Sequence, residues 1–480
     1  MKKLINDPRI VVREMLEGQV GLHAGQTLLA DENVVLRADL GLPAARQVAI
    51  ISGGGSGHEP AHAGYVGAGM LHAAVAGDVF TSPSTDAVLA AIRAAAGPAG
   101  ALLIVKNYTG DRLNFGLAAE LARAEGIPVE TVVVADDVAL RDTVASERRR
   151  GLAGTVLVHK VAGAASAAGL DLAAVAAEAR QAASAVGTMG VALGACTVPG
   201  GSAGFTLAAD EMELGLGIHG EAGVRRTKLM PADQIVEHLL ATILVDLAPP
   251  PGARVALLVN GLGGTPPMEL AIVARKALAQ LRAAGLHVAR AWSGNLMTAL
   301  EMPGVSLSLL VVDDSRLARL DAASAAPAWP GHGRVAEALS LQPPSPAAPP
   351  TVPILTPTKA GRIMRQQGLA EPAARMFERA LELWLRQPVI PENDVADAYN
   401  ERALVHFGRG EYQEALALLK VAIARRDAMH DSSSVQRGVL LTQMTVTLRS
   451  LGRNAEAMAA LEESVAVLSR NLPESRANYA

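Results

Sequence analysis

Residues 47–60, "QVAIISGGGSGHEP", join an apolar run to a loop that contains four glycines. A strand that leads through glycines into a helix is the general form of a phosphate-binding loop, because backbone N–H groups and a helix N-terminus attract anions. The P-loop pattern needs a lysine that is missing here, and the dinucleotide pattern needs a helix-packing glycine where His58 stands. The loop therefore matches neither nucleotide-binding pattern.

Short apolar runs alternate with Ala-rich stretches of helical spacing around this loop. The runs that read as strands are "QVAIIS", "AGALLIVKN", "IPVETVVVADD" and "GTVLVHK". Helices are expected between them, at "STDAVLAAIRAAA" and "NFGLAAELARAEG". Strands that alternate with helices predict a parallel or mixed sheet covered on both faces.

A second region of the same kind follows. Its strands are expected at "MGVALGACTV", "RVALLVNG", "HVARAW" and "SLSLLVVDD", with a helix at "PMELAIVARKALAQLRAAG" that ends at its glycine. The sequence therefore predicts two α/β lobes, residues 1–186 and 187–331.

The composition changes after the second lobe. Residues 332–357 form a linker whose second part, "LQPPSPAAPPTVPILTP", is too rich in proline for a helix or a sheet interior. Residues 358–480 then repeat, with Gly368, Gly410 and Gly452 at a constant spacing of about forty residues.

Other positions of the repeat keep the same register. Small residues recur at Ala373, Ala415 and Ala457 and at Ala380, Ala422 and Ser464, and bulky ones at Phe377, Leu419 and Leu461 and at Leu381, Ile423 and Val465. Small residues let antiparallel helices approach while bulky ones fill the groove between them. This segment resembles the tetratricopeptide repeat, and a plain Ala/Leu-rich helical bundle is the alternative.

Composition excludes several classes of partner. Lys and Arg (43) against Asp and Glu (47) give a formal charge of −4, so no basic field attracts nucleic acid. The charged N-terminus lacks the pattern of a secretory signal, and glycines and a proline interrupt the longest uncharged stretch, residues 181–209. We expect a cytoplasmic protein without a membrane span, in which the single Cys196 packs as a small hydrophobe.

Three long motifs carry a family resemblance. They are "SGGGSGHEPAHAGYVGAGMLHAAVAGDVFTSPS", "LLIVKNYTGDRLNF" and "EMELGLGIHGEAG". Together they resemble the substrate-binding K subunit or domain of dihydroxyacetone kinases, from the N-terminus to about residue 330. In that family a separate L subunit or domain carries the nucleotide.

His219, in "GIHGE", lies between glycines that leave the backbone accessible. A neutral imidazole nitrogen can add to a reactive carbonyl. The resemblance implies that His219 forms a covalent hemiaminal with the ketone carbonyl of dihydroxyacetone. Such a bond would discriminate against glycerol, which has no carbonyl.

The resemblance also implies an acid/base pair, His58 and Asp111. A kinase removes a proton from the attacking hydroxyl, which an imidazole or carboxylate within hydrogen-bond reach can accept. From the residues alone, His58 could instead cap a helix, and Asp111 could lie in a solvated turn. The remaining ketose-binding residues implied are Gly55, Ser56, Gly57 and Lys106. His62 and His72 are expected on a following helical stretch, as packing or surface residues.

Phosphoryl transfer also needs Mg²⁺ and a nucleotide. The acidic "GDGDTG"-like loop that holds them in the family is not found in this sequence, and no residue spacing predicts a metal site. We therefore expect no cofactor on this chain. Mg-ATP is expected on a separate L subunit, or Mg-ADP that a phosphotransferase-system protein recharges from phosphoenolpyruvate.

The resemblance implies a homodimer formed through the K portion, and the helical repeats are expected to contact a protein partner. Ala222 departs from the family, in which a proline usually follows "HGE". Relatives of the K subunit also act as regulators that sense the ketose. The alternative to a kinase subunit is therefore a dihydroxyacetone-responsive regulatory protein.

Overall fold

The computed structural model describes residues 2–201, 203–221, 223–337, 357–387, 390–429 and 434–470. The chain divides into two compact units, one within residues 1–339 and one within residues 340–480. Most of the predicted linker, and Ala222, lie outside the described residues.

The first unit contains two mixed sheets, as predicted. The first has the order β1-β2-β4-β3-β5-β6. Its strands are β1 Gln26–Leu28, β2 Val34–Arg37, β3 Ala49–Ser56, β4 Ala73–Val79, β5 Ala101–Lys106 and β6 Val129–Val134. Strands β4, β3, β5 and β6 are parallel, while β1 and β2 add an antiparallel edge. Because β3 and β5 are buried along their whole length, they read as continuous apolar or small-residue runs.

The second sheet has the order β11-β10-β12-β7-β8-β9. Its strands are β7 Val186–Ala192, β8 Glu211–Leu214, β9 Arg225–Lys228, β10 Arg254–Gly261, β11 His287–Gly294 and β12 Gly304–Val312. Only β10 and β11 pair in parallel. The second sheet begins in the chain with β7, at Val186.

Helices cover the two sheets. They are α1 Val11–Leu22, α2 Thr85–Ala95, α3 Thr109–Ala124, α4 Thr155–Ala167, α5 Leu172–Ser184, α6 Ala232–Leu247, α7 Pro267–Ala283 and α8 Asp314–Asp321. Helices α2 and α3 pack on one face of the first sheet, and α6 and α7 on one face of the second. The remaining faces share one core, to which Ile104 of β5 and Leu258 of β10 both contribute. The two lobes are therefore packed together through this core.

Two local predictions were wrong. "GTVLVHK" forms the start of α4 and not a strand. Because α4 is almost completely buried, its apolar residues show no periodic pattern that would distinguish a helix from a strand. The stretch after the glycine loop is not a helix either. It contains a short 3₁₀ turn, Ala63–Tyr65, followed by β4, and His62 and His72 are buried there.

The second unit consists of helix pairs, as predicted. The helices are α9 Pro357–Gln366, α10 Ala370–Leu385, α11 Glu392–Gly408, α12 Tyr412–Ala428, α13 Val435–Ser450 and α14 Asn454–Ser469. Gly368, Gly410 and Gly452 connect the two helices of each pair with φ between +73° and +79°, a conformation that favours glycine. Pro357, expected in the linker, is the first residue of α9, where its missing N–H costs no helical hydrogen bond.

The predicted packing holds for the first two repeats; in the last it holds for the small residues, Ala457 and Ser464, which are buried, and fails for the bulky ones. Phe377 and Leu419 are buried against the following helix pair. Leu461 and Val465 are 40% and 55% exposed, because no described helix follows α14 to cover them. Among the described residues, no helix has the length and apolar character needed to cross a bilayer.

Candidate active site

His58 lies in the loop after β3 and is completely buried. Its Nδ1 donates a hydrogen bond to the carbonyl oxygen of Thr298, at 2.7 Å. Since a carbonyl only accepts, Nδ1 carries the proton and Nε2 keeps its lone pair; Nε2 is buried and has no partner among the described residues. Burial and the nearby charges of Lys106 and His219 hold the pKa of His58 well below its usual range. His58 is therefore a neutral base.

The second lobe holds this loop in place. Leu300 donates its N–H to the Gly57 carbonyl at 2.7 Å, and Thr298 donates its N–H to the His58 carbonyl at 3.1 Å. The Thr298 hydroxyl donates to the Glu59 carbonyl at 2.8 Å. Residues 298–300 connect β11 to β12, so the site is formed where the two lobes meet.

His219 lies in the loop between β8 and β9. Its Nδ1 is 3.0 Å from Oε1 of Glu221, and its backbone N–H donates to Oε2 at 2.9 Å. Burial alone would raise the pKa of Glu221, but the hydrogen bond from His219 and the charge of that ring lower it to about 2. An ionised carboxylate only accepts, so Nδ1 of His219 carries a proton.

The structure brings the two histidines into contact. The His58 and His219 rings lie edge to face, with centroids 4.8 Å apart. Tyr108 and Phe80 also present their rings to His219, at 4.5 and 5.4 Å, and Phe80 stacks on His58 at 5.2 Å with an interplanar angle of 24°. Two imidazoles, each hydrogen-bonded at Nδ1, thus share an aromatic pocket.

Lys106 and Asp111 lie beside Gly54 of the glycine run. Lys106 ends β5 and Asp111 is in the first turn of α3, the edge of a parallel sheet where ligands bind in α/β folds. Lys106 Nζ and Asp111 Oδ1 are buried without a partner among the described residues. Burial lowers the pKa of Lys106, and the carboxylates of Asp111, Glu221 and Glu59 oppose that shift. Asp111 is 2% exposed, which excludes a solvated turn.

The glycines of the loop make room for these side chains. A Cβ on Gly54 would lie 2.8 Å from Lys106 Nζ and 3.4 Å from Asp111 Oδ2. A Cβ on Gly57 would lie 2.8 Å from Cε1 of Phe80. These two glycines therefore leave room for the side chains of Lys106, Asp111 and Phe80. Ser56 differs from expectation, because its hydroxyl donates to the Gly77 carbonyl at 2.7 Å and is not free to donate to a ligand.

A second group of buried histidines lies behind the site. Ser52 Oγ donates to the Ile104 carbonyl at 2.6 Å, and His159 Nε2 lies 3.1 Å from the same Oγ. The His62 and His159 rings are 5.1 Å apart. Burial lowers the pKa of His159 to about 3 and that of His62 well below its usual range. These rings are neutral packing groups, which agrees with the packing role expected for His62.

Comparison with known families follows the same division of the chain. The Dak1 domain model matches residues 17–328. This chain belongs to the Dak1 domain family. A tetratricopeptide-repeat model matches residues 394–470, which confirms the repeat and leaves the first helix pair, α9 and α10, outside the match.

Relatives of the Dak1 domain include kinases of small ketoses. A putative 3,4-dihydroxy-2-butanone kinase of Solanum lycopersicum is 56% identical over 337 residues, 68% of this chain and 57% of that protein. A dihydroxyacetone-binding subunit of a dihydroxyacetone kinase of Listeria innocua is 48% identical over 317 residues, 66% of this chain and 96% of that subunit. This chain spans less than two thirds of the tomato protein and of its mammalian relatives.

Two solved structures are similar. The dihydroxyacetone kinase of C. freundii, in complex with AMP-PNP and Mg²⁺, has a TM-score of 0.71 and 30% identity, covering 98% of this chain and 100% of that one. A dihydroxyacetone kinase operon co-activator, DhaQ, has a TM-score of 0.63 and 37% identity, covering 66% of this chain and 98% of that one. The Dak1 fold thus occurs in both a kinase and a regulator.

The sequence did not single out four residues of the Dak1 site. Glu221 had a usable signal, since a carboxylate two residues after a candidate nucleophile is placed to bind its ring. Phe80 and Tyr108 stand within the quoted motifs, but nothing in their spacing marks them as ring contacts. Thr298 had no signal, because it acts through its backbone and lies 240 residues from His58.

Proposed function

We propose that the Dak1 domain of this chain is the substrate-binding part of a dihydroxyacetone kinase, a phosphotransferase to an alcohol acceptor. It holds the ketose as a covalent hemiaminal on His219 while a separate nucleotide-bearing L subunit delivers the phosphoryl group. The observation that carries the proposal is the contact between two imidazoles, each held by a hydrogen bond at Nδ1.

The addition step balances with residues of this site. Nε2 of His219 donates its lone pair to the carbonyl carbon, and the carbonyl electron pair moves to oxygen, which accepts a proton. Lys106, a buried ammonium without a hydrogen-bond partner in the described chain, is the donor for that oxygen. The Nδ1 proton of His219 passes to Glu221, so the ring of the adduct is neutral. Glycerol has no carbonyl and cannot react.

The phosphorylation step uses the other base. Nε2 of His58, with Asp111 beside the pocket, accepts the proton of the terminal hydroxyl as that oxygen attacks the phosphoryl group. The product is dihydroxyacetone phosphate. The donor on the L subunit is Mg-ATP, or Mg-ADP recharged from phosphoenolpyruvate by a phosphotransferase-system phosphocarrier. In this proposal the protein is cytoplasmic and forms a homodimer through its Dak1 unit, and its helical repeats contact a protein partner.

The test has two stages. Dihydroxyacetone labelled with ¹³C at the carbonyl carbon is added to the full chain, and ¹³C NMR follows conversion of the ketone signal to that of a tetrahedral carbon. His219→Ala removes this conversion, whereas His238→Ala, at an exposed histidine of α6, retains it. A tetrahedral signal that survives His219→Ala refutes the nucleophile. The chain is then mixed with a nucleotide-bearing L subunit, and the phosphate ester is assayed.

A second candidate is a regulator that senses dihydroxyacetone. It is favoured by the 37% identity to the co-activator DhaQ and by the repeat unit, a fold suited to contact with other proteins. Adduct formation without any phosphate ester, with L subunits that use ATP and with those that use phosphoenolpyruvate, would support the regulator and refute the kinase.

A further inference from the structure

Phe80, in the connection between β4 and α2, contacts both histidines. It stacks on His58 with ring centroids 5.2 Å apart and meets His219 edge to face at 5.4 Å. Tyr108 contacts only His219, so Phe80 is the one phenyl ring of the described chain that joins the two imidazoles. Whatever fixes Phe80 therefore fixes the base and the nucleophile relative to each other.

The backbone of Phe80 is held in an unusual conformation. Its φ is +57°, in the left-handed region that bulky residues rarely adopt. Its N–H donates to the Ser56 carbonyl at 2.9 Å. A Cβ on Gly55 would lie 2.8 Å from the Phe80 Cα, and one on Gly57 would lie 2.8 Å from its ring. Two glycines of the loop thus leave room for this backbone and this ring, and such strain is typical of functional sites.

Leu300 supports the same ring from the second lobe. It also has a positive φ, +55°, and a Cβ on Gly57 would lie 3.2 Å from its Cδ2. Phe80, Leu300 and Phe205 pack around one apolar cluster. The phenyl ring is therefore held by packing from both lobes and cannot turn away from the histidines without disturbing that cluster.

We propose that Phe80 is a positioning residue that fixes the rings of His58 and His219 relative to each other. This rests on the function proposed above. The hydrogen bond at Nδ1 holds one atom of each imidazole. Contact with the phenyl ring of Phe80 fixes the plane of each imidazole. The ring centroids are 4.8 Å apart, so a turn of either ring would move its Nε2 relative to the other imidazole.

The kinetic test uses dihydroxyacetone as the substrate. Phe80→Leu is expected to lower kcat for dihydroxyacetone by about 10- to 100-fold with KM changed less than about threefold, because the covalent bond remains while the hydroxyl is misplaced. Phe80→Tyr, which keeps the ring, should restore kcat.

Phe205→Leu is the matched control, because it makes the same change in the same cluster at a residue that has no ring contact with either histidine in the described chain. If Phe80→Leu behaves like Phe205→Leu in kcat, the proposal is wrong. Should Phe80→Leu not fold, Phe80→Met gives the same comparison with a flexible side chain of similar volume.

A readout without substrate separates this proposal from the proposed function. In ¹⁵N spectra of the ligand-free chain, His58 and His219 should each show one defined tautomer, and Phe80→Leu should average the nitrogen signals while Phe205→Leu does not. Unaltered signals in Phe80→Leu would refute the positioning role. If the wild-type chain forms no adduct, the proposed function fails, and these spectra still decide the role of Phe80.

Discussion

Acidification from about pH 7 to about pH 5.5 should destabilise the Dak1 unit through its buried histidines. Four of them have a pKa lowered first of all by burial: His58, His62, His72 and His159. For His72 and His159 the pKa falls to about 3, against about 6.5 in an unfolded chain. Below about pH 6.5 the unfolded chain therefore binds more protons than the native one. The free energy of unfolding thus decreases as the pH is lowered.

The size of the effect follows from linkage. Each histidine that stays neutral in the native state loses about 1.2 kcal/mol between these two pH values, so four lose about 5 kcal/mol. Asp137 opposes the loss, because burial raises its pKa to about 6 and the native state gains about 0.8 kcal/mol by binding its proton. The net loss of unfolding free energy is about 4 kcal/mol. Asp136 and Glu59 reduce this loss further, because burial also raises their pKa values.

Urea unfolding at the two pH values measures this loss. In a Trp384→Phe background, fluorescence reports Trp292 and Trp329 of the Dak1 unit, because the chain has three tryptophans. His159→Gln should reduce the pH-dependent loss by about 1.2 kcal/mol, and His287→Gln, at an exposed residue, should leave it unchanged. Equal unfolding free energies at both pH values, or a loss that His159→Gln does not alter, would refute the reasoning.

Glu221→Gln removes the ionised hydrogen-bond acceptor of His219. The loss of this hydrogen bond should make the free energy of adduct formation less favourable by about 1.5–3 kcal/mol, which weakens the ketose adduct about 10- to 150-fold in ¹³C NMR titrations. Gly55→Ala places Cβ 2.6 Å from a backbone nitrogen and should cost about 1–3 kcal/mol in thermal unfolding, whereas Gly116→Ala, in open space on α3, should gain about 0.5–1 kcal/mol. Leu419→Ala should cost about 2–5 kcal/mol, and Leu461→Ala less than about 1 kcal/mol, in circular-dichroism melts; equal losses would contradict the difference in burial.

The architecture could be predicted where burial leaves a periodic pattern. The buried parallel strands and the glycine-spaced repeats were visible in the sequence, because each depends on residues close in the chain. Helix α4 was predicted as a strand because burial on every side erased its period. Leu461 matches Leu419 in the repeat, but its exposure depends on whether another helix packs against α14, which the register does not encode.

The candidate site was predictable only in part. The family motifs pointed to His58, Lys106, Asp111 and His219, and the fold brings these four residues to one place. The groups that define their chemistry come from elsewhere: a backbone carbonyl at Thr298 and a phenyl ring at Phe80 carry no residue-type signal for these roles. Such contacts appear only when distant segments are assembled. The Ser56 hydroxyl was expected to contact a ligand for the same reason, because its acceptor, the Gly77 carbonyl, could not be identified from the sequence.

Because His58 is hydrogen-bonded to Thr298, both lobes of the Dak1 domain contribute to the base. The first lobe supplies the imidazole, and the second decides which of its nitrogens keeps the proton. A first lobe expressed alone would carry the whole glycine motif and still lack a defined base, because neither nitrogen would have a fixed partner. Division of this domain into independently evolving halves would therefore abolish its chemistry before it abolished either fold.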